Sequence, residues 1–289
     1  MTVISSDTKD EFLLRRLNEI AGQSPPLAPV ARLYSAVLPL LREEEPRAVP
    51  VSLSQDMAHE KLESGRHLLH DLDVELDIPA VSGLLVRLAS AAGQTGENVD
   101  AERLQAWIRD HEEDFVDVMQ SVLVAGGRLP SYAAERLGMD AAVFRTLAQS
   151  ALKPTLRAWR MQLAPLAAGI TWNRGSCFVC GSAPVFGELQ GNVQALHLRC
   201  GSCGADWEHP RLACVFCGND DHRTRTSLFR AGEHRNAHVE ACDRCKRYLK
   251  IIPAFSPAPV DMLPVEDLAT LDLDHIAVEH GYSKSSSDS

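Results

Sequence analysis

Four Cys-x-x-Cys pairs contain all eight cysteines of the chain, so no cysteine is left over. The pairs are Cys177/Cys180, Cys200/Cys203, Cys214/Cys217 and Cys242/Cys245. Two thiolates at this spacing can bind one metal ion from a tight turn, and four pairs supply the ligands of two tetrahedral sites. Four sulfur ligands leave no open position on the ion, which argues against hydrolytic metal catalysis. We therefore expect two metal ions, each bound by four cysteine thiolates, in a protein that is not an enzyme.

The spacing between the pairs indicates which cysteines share an ion. Nineteen residues separate Cys180 from Cys200 and 24 separate Cys217 from Cys242, but only ten lie between Cys203 and Cys214. The first gap lies in the range usual for paired metal-binding turns, and the second is slightly longer. The spacing favours sequential pairing, in which the first four cysteines bind one ion and the last four bind the other. An interleaved arrangement is the alternative.

The residue that follows each pair also fits a metal-binding turn. Glycine follows the second cysteine of three pairs, at Gly181, Gly204 and Gly218. Glycine tolerates the left-handed backbone conformation that turns N–H groups toward the sulfurs. Lys246 stands at this position in the fourth pair, where its positive charge could offset the net negative charge of a four-thiolate site.

Disulfides and redox-active dithiols are the alternative interpretations of the pairs. Residues 1–10 are polar and acidic and lack the basic and apolar regions of a secretory signal. The sequence has no run of about 18 apolar residues, the length that a membrane-spanning helix needs. We therefore expect a cytoplasmic protein without membrane insertion, where reduced thiols favour metal over disulfides. A dithiol catalyst is also less well supported, because a thioredoxin-like site needs one reactive pair in a βαβ unit.

The net charge of −10 is unevenly distributed along the chain. Basic and acidic side chains number 18 and 24 in residues 1–174, 10 and 8 in residues 175–250, and 1 and 7 in residues 251–289. Nucleic-acid-binding surfaces are strongly basic, because contacts with phosphates supply most of their affinity. We therefore expect no nucleic-acid partner.

Apolar residues recur at helical spacing from about residue 9 to residue 169 and predict an all-α N-terminal domain of six to eight helices. Leu13, Leu17 and Ile20 share one helix face. A second set, on two consecutive helices or one broken helix, comprises Leu104, Trp107, Ile108, Phe115, Met119 and Val122. The last helix, at about residues 141–168, contains Pro154, which predicts a kink or a division into two helices.

Shorter apolar segments replace the helical pattern after Gly169. Segments 194–199, 226–230 and 237–240 predict short antiparallel strands between the cysteine pairs. Each half would form a small rubredoxin-like or zinc-ribbon module that depends on its ion.

The expected fold class is multidomain α+β. It consists of a helical domain at 1–173, a first four-cysteine module at 174–212 and a second four-cysteine module at 213–289. The second module includes an acidic amphipathic segment at 265–280 and a tail at 283–289 that we expect to be disordered.

Two other patterns are assigned to ordinary surface or supporting roles. Arg15-Arg16 could suggest a twin-arginine export signal, but no apolar region follows it, so we expect a solvated helix face. His197 and His209 lie nearest the cysteine pairs. Because four sulfurs are already available for each ion, we expect these histidines beside the sites and not among the ligands.

An ordered set of residues surrounds the cysteines. It comprises Cys177–Val185, Leu198–Cys200, Cys203, Asp206-Trp207, Arg211, Cys214, Cys242–Cys245, Tyr248–Ile251, Val265–Leu268 and Gly281-Tyr282. This set, over about residues 175–283, resembles the FdhE family of formate dehydrogenase accessory proteins. The chain departs from the family at Lys246, where the family often has glycine.

The resemblance implies a cytoplasmic protein that is required for active respiratory formate dehydrogenase and acts on its catalytic subunit before export. In the family the four cysteine pairs hold two metal ions in rubredoxin-like modules, and residue matching transfers this role to the eight cysteines here. The resemblance favours iron, although four thiolates suit both iron and zinc. Trp207, Arg211 and Tyr248 also match family positions and are expected to pack or to contact the partner.

We therefore interpret the chain as a maturation factor whose metal-stabilised surface binds the formate dehydrogenase catalytic subunit. A rubredoxin-like iron protein that transfers electrons or senses oxygen is the alternative. A nucleic-acid-binding zinc ribbon is a third interpretation, which the charge disfavours. The partner-binding face, a homodimeric state and a structural or redox role of the metals are left open by the sequence.

Overall fold

The chain forms two compact units. The computed structural model describes residues 6–123, 129–232 and 237–284. One unit comprises the chain up to Pro50 together with Val74–Trp159, and the other comprises Val51–Asp73 and the chain from Arg160 onward. The segment Val51–Asp73 therefore belongs to the unit that contains the cysteines, although the sequence placed it in the helical domain. The predicted division into domains at 1–173, 174–212 and 213–289 stays a prediction.

The first unit is helical. The described part of the chain before the cysteines contains the α-helices α1 Ser6–Gln23, α2 Ala28–Glu43, α3 Gln55–Glu63, α4 Ile78–Gln94, α5 Ala101–Asp110, α6 Glu112–Leu123, α7 Leu129–Leu137 and α8 Ala141–Leu163. All belong to the first unit except α3 and the last residues of α8. The predicted apolar sets are buried on α1, α5 and α6, as an amphipathic pattern requires. None of the helices in the described ranges is long and apolar enough to cross a membrane.

Aspartate side chains fix the start of three of these helices. Asp77, Asp100 and Asp140 each accept a hydrogen bond of 3.0 Å from a backbone N–H group three residues later. Such caps stabilise a helix by about 1 kcal/mol. Helix α8 continues through Pro154, so the division predicted there does not occur. Buried apolar residues on both sides of the proline hold this helix in place.

One sheet runs through the second unit. Its strands are β1 Pro184–Gln190, β2 Ala195–Cys200, β3 Asp206–Glu208, β4 Arg225–Leu228, β5 His238–Cys242, β6 Arg247–Ala254 and β7 Ser283–Lys284. The order across the sheet is β3-β2-β1-β6-β5-β4, and β7 pairs with the start of β6. Strands β1 and β6 are parallel, as are β6 and β7, whereas the other pairs are antiparallel.

The predicted strands correspond to β2, β4 and β5, and β1, β3 and β6 were not predicted. The parallel pairing of β1 with β6 joins the two expected modules into one continuous sheet. This contact links segments about 60 residues apart, which local periodicity does not report. The mixed α+β class is confirmed.

The acidic segment predicted at 265–280 forms two short helices, α9 Leu263–Ala269 and α10 Leu271–Glu279. A buried apolar cluster joins α10 to β5 and β6; it consists of Val239, Ala241, Tyr248, Leu273, Ala277 and Tyr282. The predicted start of the disordered tail at residue 283 is wrong, because Ser283 and Lys284 form β7 on the sheet. Residues 285–289 lie outside the described part of the chain.

A buried ion pair fastens α9 and α10 to the sheet. Lys250 on β6 has a fully buried side chain, and its Nζ lies 2.6 Å from a carboxylate oxygen of both Asp267 and Asp274. The hydroxyl of Tyr248 donates to Asp274 at 2.7 Å. The more exposed Lys284 lies 3.2 Å and 3.4 Å from the same two carboxylates. The two aspartates therefore have one buried and one exposed ammonium partner.

We expect Lys250→Met to lower the free energy of unfolding by about 3 kcal/mol, because it leaves carboxylates at a buried site without their main partner. Lys284→Met removes an exposed partner of the same carboxylates and is expected to cost less than about 1 kcal/mol. Urea unfolding of the two variants and the wild type measures both values. Equal losses would show that burial of the Lys250 ammonium does not set its contribution.

Candidate metal centre

The eight cysteine sulfurs gather into two groups of four. Group 1 contains Cys177, Cys180, Cys200 and Cys203, and group 2 contains Cys214, Cys217, Cys242 and Cys245. Within each group all sulfurs lie within 4.8 Å of one another. The sequential pairing is confirmed, and the interleaved arrangement is not the one that the chain adopts. All eight cysteines are free thiols in this structure.

The separations between the sulfurs fit a tetrahedral metal site. In group 1 the Sγ atoms of Cys177 and Cys203 are 3.5 Å apart, as are those of Cys180 and Cys200. In group 2 the corresponding separations are 3.8 Å for Cys214 and Cys245 and 3.7 Å for Cys217 and Cys242. Metal–sulfur bonds of about 2.3 Å place the corners of a tetrahedron about 3.8 Å apart. Each group could therefore hold one ion.

All four pairs form the same tight turn. The N–H group of the residue after each second cysteine donates to the carbonyl of the first cysteine, at 2.8–3.0 Å. In three turns this residue is a glycine with positive φ: Gly181 at +77°, Gly204 at +76° and Gly218 at +69°. The sequence prediction of left-handed glycines at these positions is confirmed.

Lys246 adopts the same left-handed conformation in the fourth turn, with φ of +57°. This conformation costs a residue with a side chain about 1–2 kcal/mol. Several contacts offset the cost. The Lys246 ammonium lies 2.7 Å from Asp243 and over the ring of Tyr282, and its carbonyl accepts a hydrogen bond from the N–H group of Ser283. The departure from glycine therefore leaves the geometry of the turn unchanged.

The four turns differ in how closely other residues pack against the residue that follows the second cysteine. A Cβ atom added at Gly181 would come within 2.6 Å of the His67 ring, and one added at Gly204 would come within 2.6 Å of Val260. At Gly218 no atom of the described residues lies within 4 Å of the added Cβ. Lys246 at the fourth position is exposed. At this position both turns of group 1 are therefore closely covered, whereas the turns of group 2 are not.

The cover over group 1 includes a segment more than 100 residues earlier in the sequence. The N–H groups of Leu68 and Leu69 donate to the carbonyls of Phe178 and Val179, at 2.8 Å and 2.9 Å. His67 precedes these two residues and is packed tightly enough that burial lowers its pKa to about 4. These hydrogen bonds place Val51–Asp73 in the unit of the cysteines. The sequence does not reveal these hydrogen bonds, because the bonded segments are far apart and share no local pattern.

The individual thiols in these groups differ in acidity. Burial raises the pKa of Cys177 well above its ordinary value and raises that of Cys245 to about 12. Burial acts in the same direction on Cys242. There the N–H groups of Cys245 and Arg244 and the amide of Asn219 outweigh it and lower the pKa to about 6. A bound cation would stabilise the charge of four thiolates held this close.

The two histidines near the cysteines lie outside both sulfur groups. His197 Nδ1 lies 2.5 Å from a carboxylate oxygen of Asp206, and His209 Nδ1 lies 3.0 Å from the carbonyl oxygen of Pro210. Burial lowers the pKa of His209. Both side chains therefore support the surrounding structure, as expected from the sequence.

Two of the three residues singled out by family resemblance have packing roles. Trp207 is buried and donates its indole N–H to the carbonyl of Arg174 at 3.0 Å, just before the first cysteine. Tyr248 is buried against α10, and burial together with Asp274 raises its pKa. Arg211 is exposed.

A second buried ion pair stands beside group 1 and was not predicted. Arg199, which precedes Cys200, lies 2.6 Å from Glu188 on the neighbouring strand. Both side chains are buried, and Arg199 also donates to the carbonyl of Ala258 at 2.8 Å. The pair depends on the register of β1 against β2, which the sequence does not specify.

Alanine substitutions at Gly204 and Gly218 test how tightly neighbouring residues pack against the two turns. Gly218→Ala introduces only the left-handed strain of about 1–2 kcal/mol. Gly204→Ala adds a clash with Val260, and we expect it to cost about 1–3 kcal/mol more. Chemical unfolding of both variants under identical metal loading measures the difference. Equal losses of stability would mean that Val260 moves away from position 204 at no measurable cost.

Comparison with known proteins relates the cysteine region to one family. Residues 212–289 match the family model described as FdhE, C-terminal domain. A curated FdhE homolog from Aquifex aeolicus is 32% identical over 116 residues, which are 39% of this chain and 40% of that protein. The FdhE protein of Escherichia coli O127:H6 is 36% identical over 115 residues, 39% of this chain and 36% of that protein. The chain thus aligns with less than half of the length of these relatives.

A solved structure is similar over a wider part of the chain. The crystal structure of the FdhE protein from Pseudomonas aeruginosa covers 95% of this chain and 92% of its own chain, with a TM-score of 0.61. The two sequences are 21% identical, so this similarity concerns the fold. The matched model, the curated relatives and the fold agree with the resemblance seen around the cysteines. The chain is therefore similar to FdhE proteins in sequence through its cysteine-containing region and in fold through most of its length.

Proposed function

We propose that this chain is a non-enzymatic maturation factor that binds the catalytic subunit of formate dehydrogenase. The observation that carries the proposal is the pair of four-cysteine groups built into one sheet. Four sulfur ligands complete a tetrahedral shell and leave no position for a substrate. Such sites stabilise a surface, and the similarity to FdhE proteins supports formate dehydrogenase as the enzyme concerned.

In this proposal each sulfur group binds one metal ion, with its four cysteines as the ligands. Iron is the ion that the family resemblance favours, and zinc is the alternative, because four thiolates suit both. The ion would supply a cross-link between two turns of the chain. Group 1 joins the turn before β1 to the turn after β2, and group 2 joins the turn at Cys214 to the turn between β5 and β6.

The surface of the same unit offers apolar side chains for a partner. Val193, Leu212 and Phe255 are 80–85% exposed, more than any other large apolar residue described. Val193 lies in the turn between β1 and β2, and Phe255 follows β6. The N–H group of Gly191 in that turn donates to the carbonyl of Phe255 at 3.2 Å, so the two apolar residues share one end of the sheet. Val193 and Phe255 together form what we term the apolar tip.

The cytoplasm is the proposed place of action, before the catalytic subunit is exported, as the family resemblance implies. The net charge of −10 supports a protein partner over nucleic acid.

Co-purification with the catalytic subunit tests the role of the apolar tip. We expect the double substitution Val193→Ser/Phe255→Ser to weaken binding by about tenfold or more, because exposed aromatic anchors carry much of an interface's affinity. Leu212→Ser, an equally exposed position elsewhere in the unit, is the matched control and should bind as the wild type does. Full retention of the subunit by the double variant would remove the apolar tip from the proposal.

A second comparison tests the role of the metals in partner binding. Cys177→Ser/Cys180→Ser is expected to hold one ion per chain in place of two and to retain less catalytic subunit, since group 1 lies next to β1 and β2. Elemental analysis of the same anaerobic preparation gives the metal content and identifies the ion. Equal retention by the variant and the wild type would show that partner binding does not need the metal of group 1.

A further inference from the structure

The two sulfur groups differ in their access to solvent. In group 1, Cys177, Cys200 and Cys203 are completely buried and Cys180 is half-buried. In group 2, Cys217 is exposed. The groups have the same ligands and the same turn geometry, so the difference lies in what surrounds them.

The cover over group 1 comes from both sides of the cysteines in sequence. His67 lies against the turn at Gly181, and Val260 lies against the turn at Gly204. The backbone of Leu68 and Leu69 is bonded to Phe178 and Val179, inside the first turn itself. A competing ligand reaches the three buried cysteines of group 1 only after the covering segment opens.

Group 2 is covered on one side only. A Cβ atom at Gly175 would come within 2.2 Å of the carbonyl oxygen of Val215, so the chain before the first cysteine lies directly against the turn that contains Cys214. Cys214 and Cys242 are correspondingly buried. On the other side Cys217 is exposed, and within the described ranges no atom comes within 4 Å of a Cβ added at the adjacent Gly218. The open side therefore leaves one of the four cysteines exposed without any movement of the chain.

We propose that group 2 is a metal-exchange site, whose ion enters and leaves through Cys217, and that group 1 holds its ion as a closed structural site. The ligand is a thiophilic divalent cation such as Zn²⁺ or Fe²⁺. In the exchange step a donor atom of a competing ligand forms a bond to the ion, the bond from the Cys217 sulfur to the ion breaks, and the released thiolate takes a proton from water. No electrons are transferred. The inference rests on the proposed metal binding and adds an order of release to it.

The test uses the full chain loaded with two equivalents of Zn²⁺ and mixed with an excess of 4-(2-pyridylazo)resorcinol, whose zinc complex is coloured. We expect two phases of one equivalent each, the first on the order of tenfold faster than the second, because the second requires local opening. A single phase that contains both equivalents would overturn the inference.

Matched cysteine variants assign the phases. Cys217 and Cys180 are both second cysteines of the first pair in their group. Cys217→Ser should remove or further accelerate the fast phase and leave the slow phase unchanged, whereas Cys180→Ser should affect the slow phase alone. The reverse assignment would overturn the inference.

A measurement on the wild type covers the case in which a variant does not fold. Brief treatment of the zinc-loaded protein with N-ethylmaleimide, followed by peptide mapping, should label Cys217 before any cysteine of group 1. Labelling of Cys180 first would contradict the inference. A chain that binds two ions and releases them together defeats only this inference, whereas a chain that binds none defeats the proposed metal sites as well.

Discussion

The crowding of four cysteine sulfurs into each of two small volumes is the constraint on which the cysteine-containing unit depends. Thiolates within 4.8 Å of one another repel, and burial further disfavours their charge. A cation at the centre of each group would convert this repulsion into a cross-link. Three of the four turns lie at the ends of β1, β2, β5 and β6, and the fourth lies in the connection between β3 and β4. An ion in each group would therefore also fix the ends of these strands.

The remaining contacts of the unit are arranged around these two sulfur groups. The parallel pairing of β1 with β6 places the two halves in one sheet. Buried Lys250 then holds α9 and α10 against it. The turns of group 1 are covered by His67 and Val260, from segments that precede and follow the cysteines in sequence. Group 2 has no comparable cover at Gly218. Two sites with the same ligands thus differ in access because different segments of the chain pack on them.

Much of this arrangement could be predicted from local sequence. The spacing of the cysteine pairs gave the correct grouping, because a tight turn and a short hairpin are local structures. The periodicity of Leu13, Leu17 and Ile20 identified a buried helix face for the same reason. Family resemblance, which depends on the residues around the sulfurs, added what spacing alone does not specify.

The features that escaped prediction all depend on contacts between distant segments. The pairing of β1 with β6 and the packing of Val51–Asp73 on the first turn are set by the tertiary fold, and neither has a periodic signature. The ion pair of Arg199 with Glu188 depends on strand register. Lys246 looked like a departure from the turn pattern, yet it adopts the glycine conformation, since its side chain and carbonyl gain partners there.

Hydrogen–deuterium exchange of the full chain, with metal bound and after its removal by a chelator under reducing conditions, tests the central claim most directly. If the two sulfur groups hold the sheet together through bound ions, metal removal should abolish protection in β1, β2, β5 and β6. Helices α1, α2 and α4 of the first unit should keep theirs. Unchanged protection of the strands in the metal-free protein would contradict the account.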